Sequence, residues 1–84
     1  MLKKENKKKI IEEFAQSEND KGSAPVQIGI LTSEIKELMK HLKTNAHDFS
    51  SKYGLLKKVS RRRKLLKYLS TSNPKVYKQI IKKI

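Results

Sequence analysis

The chain has 84 residues and a net charge of +13, with 21 Lys and Arg, eight Asp and Glu, and no cysteine. At this length we expect one domain, residues 1–84, with a modest core and no deep substrate cleft. Without cysteine, disulfides and thiolate metal sites are excluded, and two histidines are too few for a structural metal site. We therefore expect neither a metal nor a cofactor, and no enzymatic activity.

Charge is distributed unevenly along the chain. Residues 1–48 hold nine Lys and all eight acidic residues, whereas residues 49–84 hold twelve Lys and Arg and no acidic residue. Such asymmetry is typical of proteins that bind nucleic acid or an anionic membrane surface. No apolar signal-peptide segment follows the charged start, and no run approaches the ~20 apolar residues of a membrane span. We expect a soluble cytoplasmic protein.

A first helix is predicted over residues 3–15. Its first half carries five lysines, and only Ile10, Ile11 and Phe14 give it an apolar patch. Because the first half has little to bury, we expect it to fray or move in the free protein.

A second helix is predicted over residues 25–43, after a polar loop at residues 16–24. Pro25 suits its first position, with Ser23 or Ala24 as the cap. One face of this helix is apolar and should pack against other helices. That face consists of Ile28, Leu31, Ile35, Leu38 and Leu42, with Met39 at its edge.

A short connector, residues 44–50, leads to a long third helix that should end in residues 70–73. Asp48 suits the N-cap, with Ser51 at the third position. A short connector between long amphipathic helices predicts an antiparallel helical hairpin. Gly54 lies inside the third helix, where it costs about 1 kcal/mol relative to alanine, so we expect a close approach of another group there.

The third helix has two contrasting sides at ~100° per residue. Its apolar stripe consists of Leu55, Val59, Leu66 and Leu69, with Leu56 and Leu65 on the flanks. Arg62 falls beside this stripe, where its stem can snorkel. On the opposite side Lys57, Arg61 and Lys64 form a basic row, closed by Tyr68. Because no acidic residue balances the row, we expect an anionic partner.

Asn73 and Pro74 suit the cap and first position of a fourth helix. Its apolar side consists of Val76, Tyr77, Ile80, Ile81 and Ile84. No alternating run indicates a strand. We predict an all-α fold of four helices: a long antiparallel hairpin, a short C-terminal helix packed at one end, and a more mobile N-terminal helix.

Three motifs then occur in order along the chain. They are D-K-G-S-x-x-V-Q-I-x-x-L-T, H-L-K-x-x-x-x-D-F-x-S-x-x-G-L-L and R-R-R-K-L-L-K-Y-L. Together they resemble the bacterial small-subunit ribosomal protein fifteen family, essentially from Ile10 to Ile84.

The resemblance implies a four-helix protein that binds a three-way junction of small-subunit rRNA and an adjacent helix early in assembly. It further implies that the protein helps the central-domain platform form beside other small-subunit proteins and contacts large-subunit rRNA as a bridge. In some family members, binding to their own messenger represses synthesis. We expect a monomer outside the ribosome and no membrane partner.

By position in the motifs, the family's contacts with the junction correspond to Gly22, Gln27 and Tyr68. His41, Asp48 and Ser51 fall where it reads the minor groove of a nearby helix. With the basic row, these residues form the candidate RNA-binding site, which comprises Gly22, Gln27, His41, Asp48, Ser51, Lys57, Arg61, Lys64 and Tyr68.

Several positions depart from the family pattern. They are Lys21 for Thr, Glu34 for Arg, Asn45 for His, Ser60 for Gly and Lys64 for Arg. A carboxylate at Glu34 should repel phosphate, so Glu34 is left out of the candidate site.

Each candidate also has a purely structural interpretation. The basic row could be a solvated helical face, Tyr68 could be buried at the edge of the core, and Gln27 could be an ordinary polar residue. His41 could be a helix C-terminal residue, and Asp48 and Ser51 a cap pair. A Ser–His–Asp triad at these positions would need a dry cleft and an oxyanion site, which so short a chain does not offer.

Two other functions fit a basic helical protein. A DNA-binding or architectural protein would need a short recognition helix beside a tight turn, whereas here the basic row spans a long helix. A membrane-surface protein would need exposed apolar residues in addition to those of its core, whereas in this chain the apolar residues are all needed to form the core. The basic row on a long helix suits phosphates and RNA shape instead.

The spacing of the candidates predicts contact at two places. Gln27 and His41 are fourteen residues apart on one helix, about 21 Å, and Ser51 and Tyr68 are seventeen apart on the next, about 25 Å. In an antiparallel hairpin Ser51 returns beside His41, and Tyr68 returns beside Gln27. We therefore expect one cluster at each end of the hairpin, with the basic row between them.

Overall fold

The computed structural model describes residues 4–16 and 22–84, with side chains for residues 6–16 and 22–84. The predicted start of the first helix at residue 3 and the departure at Lys21 lie outside these ranges. Four α-helices follow in order, namely α1 Lys4–Phe14, α2 Ala24–Thr44, α3 Phe49–Ser72 and α4 Pro74–Lys83. The described ranges contain no strand, so the all-α prediction is confirmed. None of the helices in these ranges combines the length and apolar character needed to cross a membrane.

Three of the helices begin at the caps that the sequence predicts. Ser23, Asp48 and Asn73 each accept a hydrogen bond from the backbone N–H three residues further on, at 3.5, 3.0 and 3.3 Å respectively. Such bonds satisfy donors that the first turn of a helix cannot pair internally. Pro74 is the first residue of α4, as expected, whereas Pro25 is the second residue of α2 because that helix begins at Ala24.

Helices α2 and α3 form the predicted antiparallel hairpin. Arg62 Nη1 donates to Thr32 Oγ1 at 3.3 Å, and Lys58 Nζ lies 3.4 Å from Glu34 Oε1. From Thr32 to Glu34 the contacts move forward along α2, and on α3 they move backward from Arg62 to Lys58. The two helices are therefore antiparallel. Arg62 is half-buried, so its stem lies beside the apolar stripe as the helical angles predict.

The hydrophobic core lies where α2 begins and α3 ends. All four helices contribute to one buried cluster, which consists of Phe14, Val26, Ile28, Leu69 and Ile80. Along α2, Leu31, Ile35 and Leu38 continue the buried face towards the connector. Both short helices therefore pack at the same end of the hairpin, and α4 has the predicted place.

Helix α3 contributes less to the core than its apolar stripe predicts. Leu69 is buried, but Leu55, Val59 and Leu66 are only half-buried. Leu56 was expected on the flank of the stripe, and this is wrong, because its side chain is 67% exposed. The physical reason is that α1 packs on α2 and α4 packs on the core end, so the outer side of α3 stays uncovered.

A glycine allows two helices to approach closely at Gly29, a position that was not singled out from the sequence. A methyl group at Gly29 would lie 2.5 Å from Cδ2 of Phe14, so only glycine lets that ring rest on the backbone of α2. Lys83 Nζ lies 5.3 Å from the centroid of the same ring and donates to the Glu13 carbonyl at 2.8 Å. At Gly54, no described atom other than its chain neighbours and the adjacent backbone of α3 lies within 4 Å of the position that a methyl group would take, so within the described chain no group makes the close approach expected there.

Candidate nucleic-acid interface

At the connector end of the hairpin, His41, Asp48 and Ser51 form what we call the tip cluster. His41 Nε2 lies 2.8 Å from Asp48 Oδ2, and Ser51 Oγ donates to the same oxygen at 2.7 Å. The Ser51 N–H donates to Asp48 Oδ1 at 3.0 Å, and Asn45 Nδ2 donates to the His41 carbonyl at 3.0 Å. The expected return of Ser51 to the vicinity of His41 is confirmed, with Asp48 as the link.

Asp48 is the electrostatic centre of the tip cluster. Hydrogen bonds from the Ser51 hydroxyl, from His41 and from the Ser51 N–H favour the carboxylate and lower the pKa of Asp48 from 3.8 to about 2. Asp48 is therefore ionised at neutral pH. A carboxylate has more acceptor sites than these three bonds fill, so it can still accept a hydrogen bond from a ligand.

At the opposite end, Gly22, Gln27 and Arg61 form what we call the far-end cluster. Gln27 Nε2 donates to the Gly22 carbonyl at 2.7 Å, and Arg61 Nη2 donates to Gln27 Oε1 at 3.4 Å. Among the described contacts of Gln27, the residue that reaches it from α3 is Arg61 and not Tyr68. Arg61 was expected between the two clusters, and its long side chain instead carries its guanidinium into one of them.

Tyr68 projects into solvent rather than into the core. Its side chain is 62% exposed, which rules out the alternative that it is buried at the core edge. It lies on the same side of α3 as Arg61 and Lys64, both of which are exposed. The ring and its hydroxyl are therefore free to meet a partner beside the basic row.

The basic row is exposed along its whole length, and none of its three cations forms an ion pair within the described residues. Lys57, Arg61 and Lys64 are all exposed, and the only ion pair of a Lys or Arg among the described residues joins Lys58 to Glu34. A row of cations with no internal counterion favours an anionic ligand over simple solvation.

Glu34, the departure that seemed least compatible with RNA, is held by a lysine of α3. Its carboxylate lies 3.4 Å from Lys58 Nζ, and the glutamate side chain is only 21% exposed. The negative charge is thus partly neutralised within the hairpin by Lys58, although Glu34 lines the same surface pocket as Arg61 of the basic row.

Two exposed aromatic rings on α3 were not singled out from the sequence. Phe49 and Tyr53 are 69% and 62% exposed, with Lys52 Nζ and Lys57 Nζ at 5.2 and 4.6 Å from the respective ring centroids. Their four-residue spacing on the side away from the stripe was the available signal. In the described part of the chain, no three His, Asp or Glu residues gather where a metal ion could bind.

Comparison with known proteins gives a consistent result. Residues 7–84 match the family model of ribosomal protein S15. The chain is 52% identical over 83 residues to small ribosomal subunit protein uS15 of Dictyoglomus thermophilum, covering 99% of this chain and 93% of that one. Identity to the uS15 proteins of Thermotoga petrophila and Limosilactobacillus reuteri is 49% and 46%, over 99% of this chain and 92% and 93% of theirs. The resemblance inferred from the three motifs is confirmed, and the chain belongs to the ribosomal protein S15 family.

Proposed function

We propose that this protein binds small-subunit rRNA at a three-way junction and at an adjacent helix. The membership of the chain in a ribosomal protein family makes it a structural component of the small ribosomal subunit, and not an enzyme. It works in the cytoplasm, in the ribosome. The observation that carries the proposal is the exposed, unpaired basic row, which lies between two polar clusters at opposite ends of one hairpin.

Affinity is assigned to the basic row. Lysine and arginine contact phosphate oxygens, and this contact supplies most of the binding free energy while remaining indifferent to sequence. Residues 49–84 contain no acidic side chain that would repel the phosphates. The row therefore favours a folded polyanion that lies along α3.

Specificity is assigned to the two ends. In the tip cluster, Asp48 can accept a hydrogen bond from a guanine amino group, which the minor groove displays. His41 and Ser51 hold that carboxylate in place. Near the end of α3, the exposed ring of Tyr68 can stack on an unpaired base of a junction. In the far-end cluster, the amide of Gln27 is already oriented by its two hydrogen bonds.

The proposal includes the partners that the family resemblance implies. These are neighbouring small-subunit proteins at the platform, a bridge to large-subunit rRNA, and the messenger of the protein itself. Small subunits reconstituted with and without the protein would test the bridge. We expect slower association with large subunits in its absence, and unchanged association would remove the bridge from the proposal.

A gel-shift experiment with three ligands tests the main proposal. The ligands are a transcript of the small-subunit rRNA junction, a duplex DNA of equal length and anionic lipid vesicles. We expect the junction RNA to bind most tightly and to withstand competition by an excess of the DNA. Equal affinity for the DNA or for the vesicles would contradict the proposal, because phosphate charge alone would then explain binding.

A further inference from the structure

Gly54 lies in the interior of α3, where neither the backbone nor the packing of the chain requires a glycine. No described glycine has a positive φ, so any L-residue could adopt the backbone conformation at this position. Apart from its chain neighbours and the adjacent backbone of α3, no described atom lies within 4 Å of where its methyl group would be. Glycine in a helix interior destabilises the helix relative to alanine, and nothing within the described chain compensates for that loss.

The surroundings of Gly54 suit a phosphate backbone. The residue lies in a groove of about 330 Å³ that is lined by one leucine of α2 and four residues of α3. The lining consists of Leu31, Gly54, Lys57, Lys58 and Arg61. Two of the lining cations, Lys57 and Arg61, have no acidic partner, whereas the ammonium of Lys58 lies 3.4 Å from Glu34 Oε1. The glycine leaves part of the groove wall as bare helix backbone.

Gly54 also occupies a particular place along α3. It lies one turn after Ser51 of the tip cluster and one turn before Lys58, so a strand that runs from the tip cluster to the basic row must cross it. We propose that the sugar-phosphate backbone of the bound RNA passes closest to the protein at Gly54, with a phosphate beside Lys57 and Arg61. The missing side chain is what allows this approach. This inference rests on the RNA binding proposed above and adds a positioning residue to it.

The variant Gly54→Ala gives two readouts that should move in opposite directions. The free protein should melt about 4–8 °C higher, because alanine is the better helix former and its methyl group meets no atom of the described chain. The affinity for the junction RNA should fall about tenfold or more, because the methyl group would overfill a close contact. No charge is removed, so the salt dependence of binding should keep the wild-type slope.

Ser60→Ala is the matched control. Ser60 is exposed on the same helix, the substitution also favours the helix, and it adds no volume. We expect its RNA affinity to equal that of the wild type. A Gly54→Ala protein that is more stable and binds as tightly as the wild type would overturn the inference, as would an equal loss of affinity in both variants. If the wild type itself fails to select the junction RNA, the proposed function fails first, so the two failures are distinguishable.

Discussion

Asp48 serves three purposes with one carboxylate: it caps α3, fixes His41 across the hairpin and presents an acceptor to a ligand. Because the pKa of Asp48 is about 2 in the folded protein and 3.8 ordinarily, its contribution to stability is present above pH 3.8. That contribution is lost as the pH falls towards 2. An NMR titration of the Asp48 carboxyl should show the low pKa.

Ser51→Ala is the matched test of this assignment, because it removes the largest cause of the lowered pKa and leaves the backbone N–H in place. The Asp48 pKa should rise towards 3.8 in the variant, and the tip should loosen at a higher pH. An unchanged titration would mean that the hydroxyl contact does not set the pKa.

Gly29 is a position at which even a methyl group should disturb the core. In Gly29→Ala, the Phe14 ring would have to move away from α2, which we expect to cost about 1–3 kcal/mol of unfolding free energy. Denaturant unfolding measures this cost. In a Phe14→Ala background the same substitution should cost little, and an equal cost in both backgrounds would show that the ring is not the obstacle.

The sequence allowed some residue contacts to be predicted and concealed others. His41 and Ser51 could be placed together because a short connector leaves few ways to join two helices. Arg61 could not be assigned to Gln27, since helical angles locate a Cβ atom but not the end of a long side chain. The close contact at Gly29 could not be predicted because the Phe14 ring that makes it lies on another helix.

Helix α2 carries the greater share of the buried surface in the hairpin, and substitutions should reflect this. Leu31→Ala and Leu38→Ala should each cost about 2–4 kcal/mol, because both side chains are buried. Leu66→Ala should cost less because Leu66 is half-buried. Leu56→Ala is the control, since that side chain is exposed. Thermal melts in which all four variants lose the same stability would contradict this order.

The basic row should dominate the salt dependence of binding. With roughly 6–8 phosphate contacts, the slope of log K against log salt should be about −5 to −7. Replacing Lys57, Arg61 and Lys64 by alanine should make the slope shallower by about 2–3.

A triple variant on α4 provides a control of equal charge. Lys75, Lys78 and Lys82 are also exposed but lie on another helix. Their replacement by alanine should leave the slope closer to that of the wild type. Equal changes in both triple variants would mean that net charge, and not the position of the row, sets the affinity.

At the scale of the whole molecule, which is about 40 Å long, Asp48 caps the start of α3 and Tyr68 lies near its end, about 30 Å apart along the helix. Footprinting on junction RNA with Asp48→Ala and with Tyr68→Ala should therefore give different results. Each variant should lose protection at its own patch of nucleotides and keep part of the other. If both variants lose the same nucleotides, the protein does not hold RNA at two separate places.

The fold was predictable from the sequence because its signals agree: the caps, the apolar periodicity and the short connector all favour one hairpin. How much of each apolar stripe is buried could not be predicted from the sequence. An apolar stripe shows which side of a helix can be buried, but Leu55 and Leu56 show that burial depends on whether another helix is there to cover it. Only the arrangement of α1 and α4 decides this, and no local pattern specifies it.

The position of the core has a consequence for the order in which the protein loses structure on heating. All four helices meet at one end, whereas beyond Leu38, the last buried residue of α2, the tip is held largely by exposed polar hydrogen bonds. The tip should therefore open at a lower temperature than the rest of the molecule melts. A bound duplex would close it again, so the protein would hold the junction while the second contact forms and breaks.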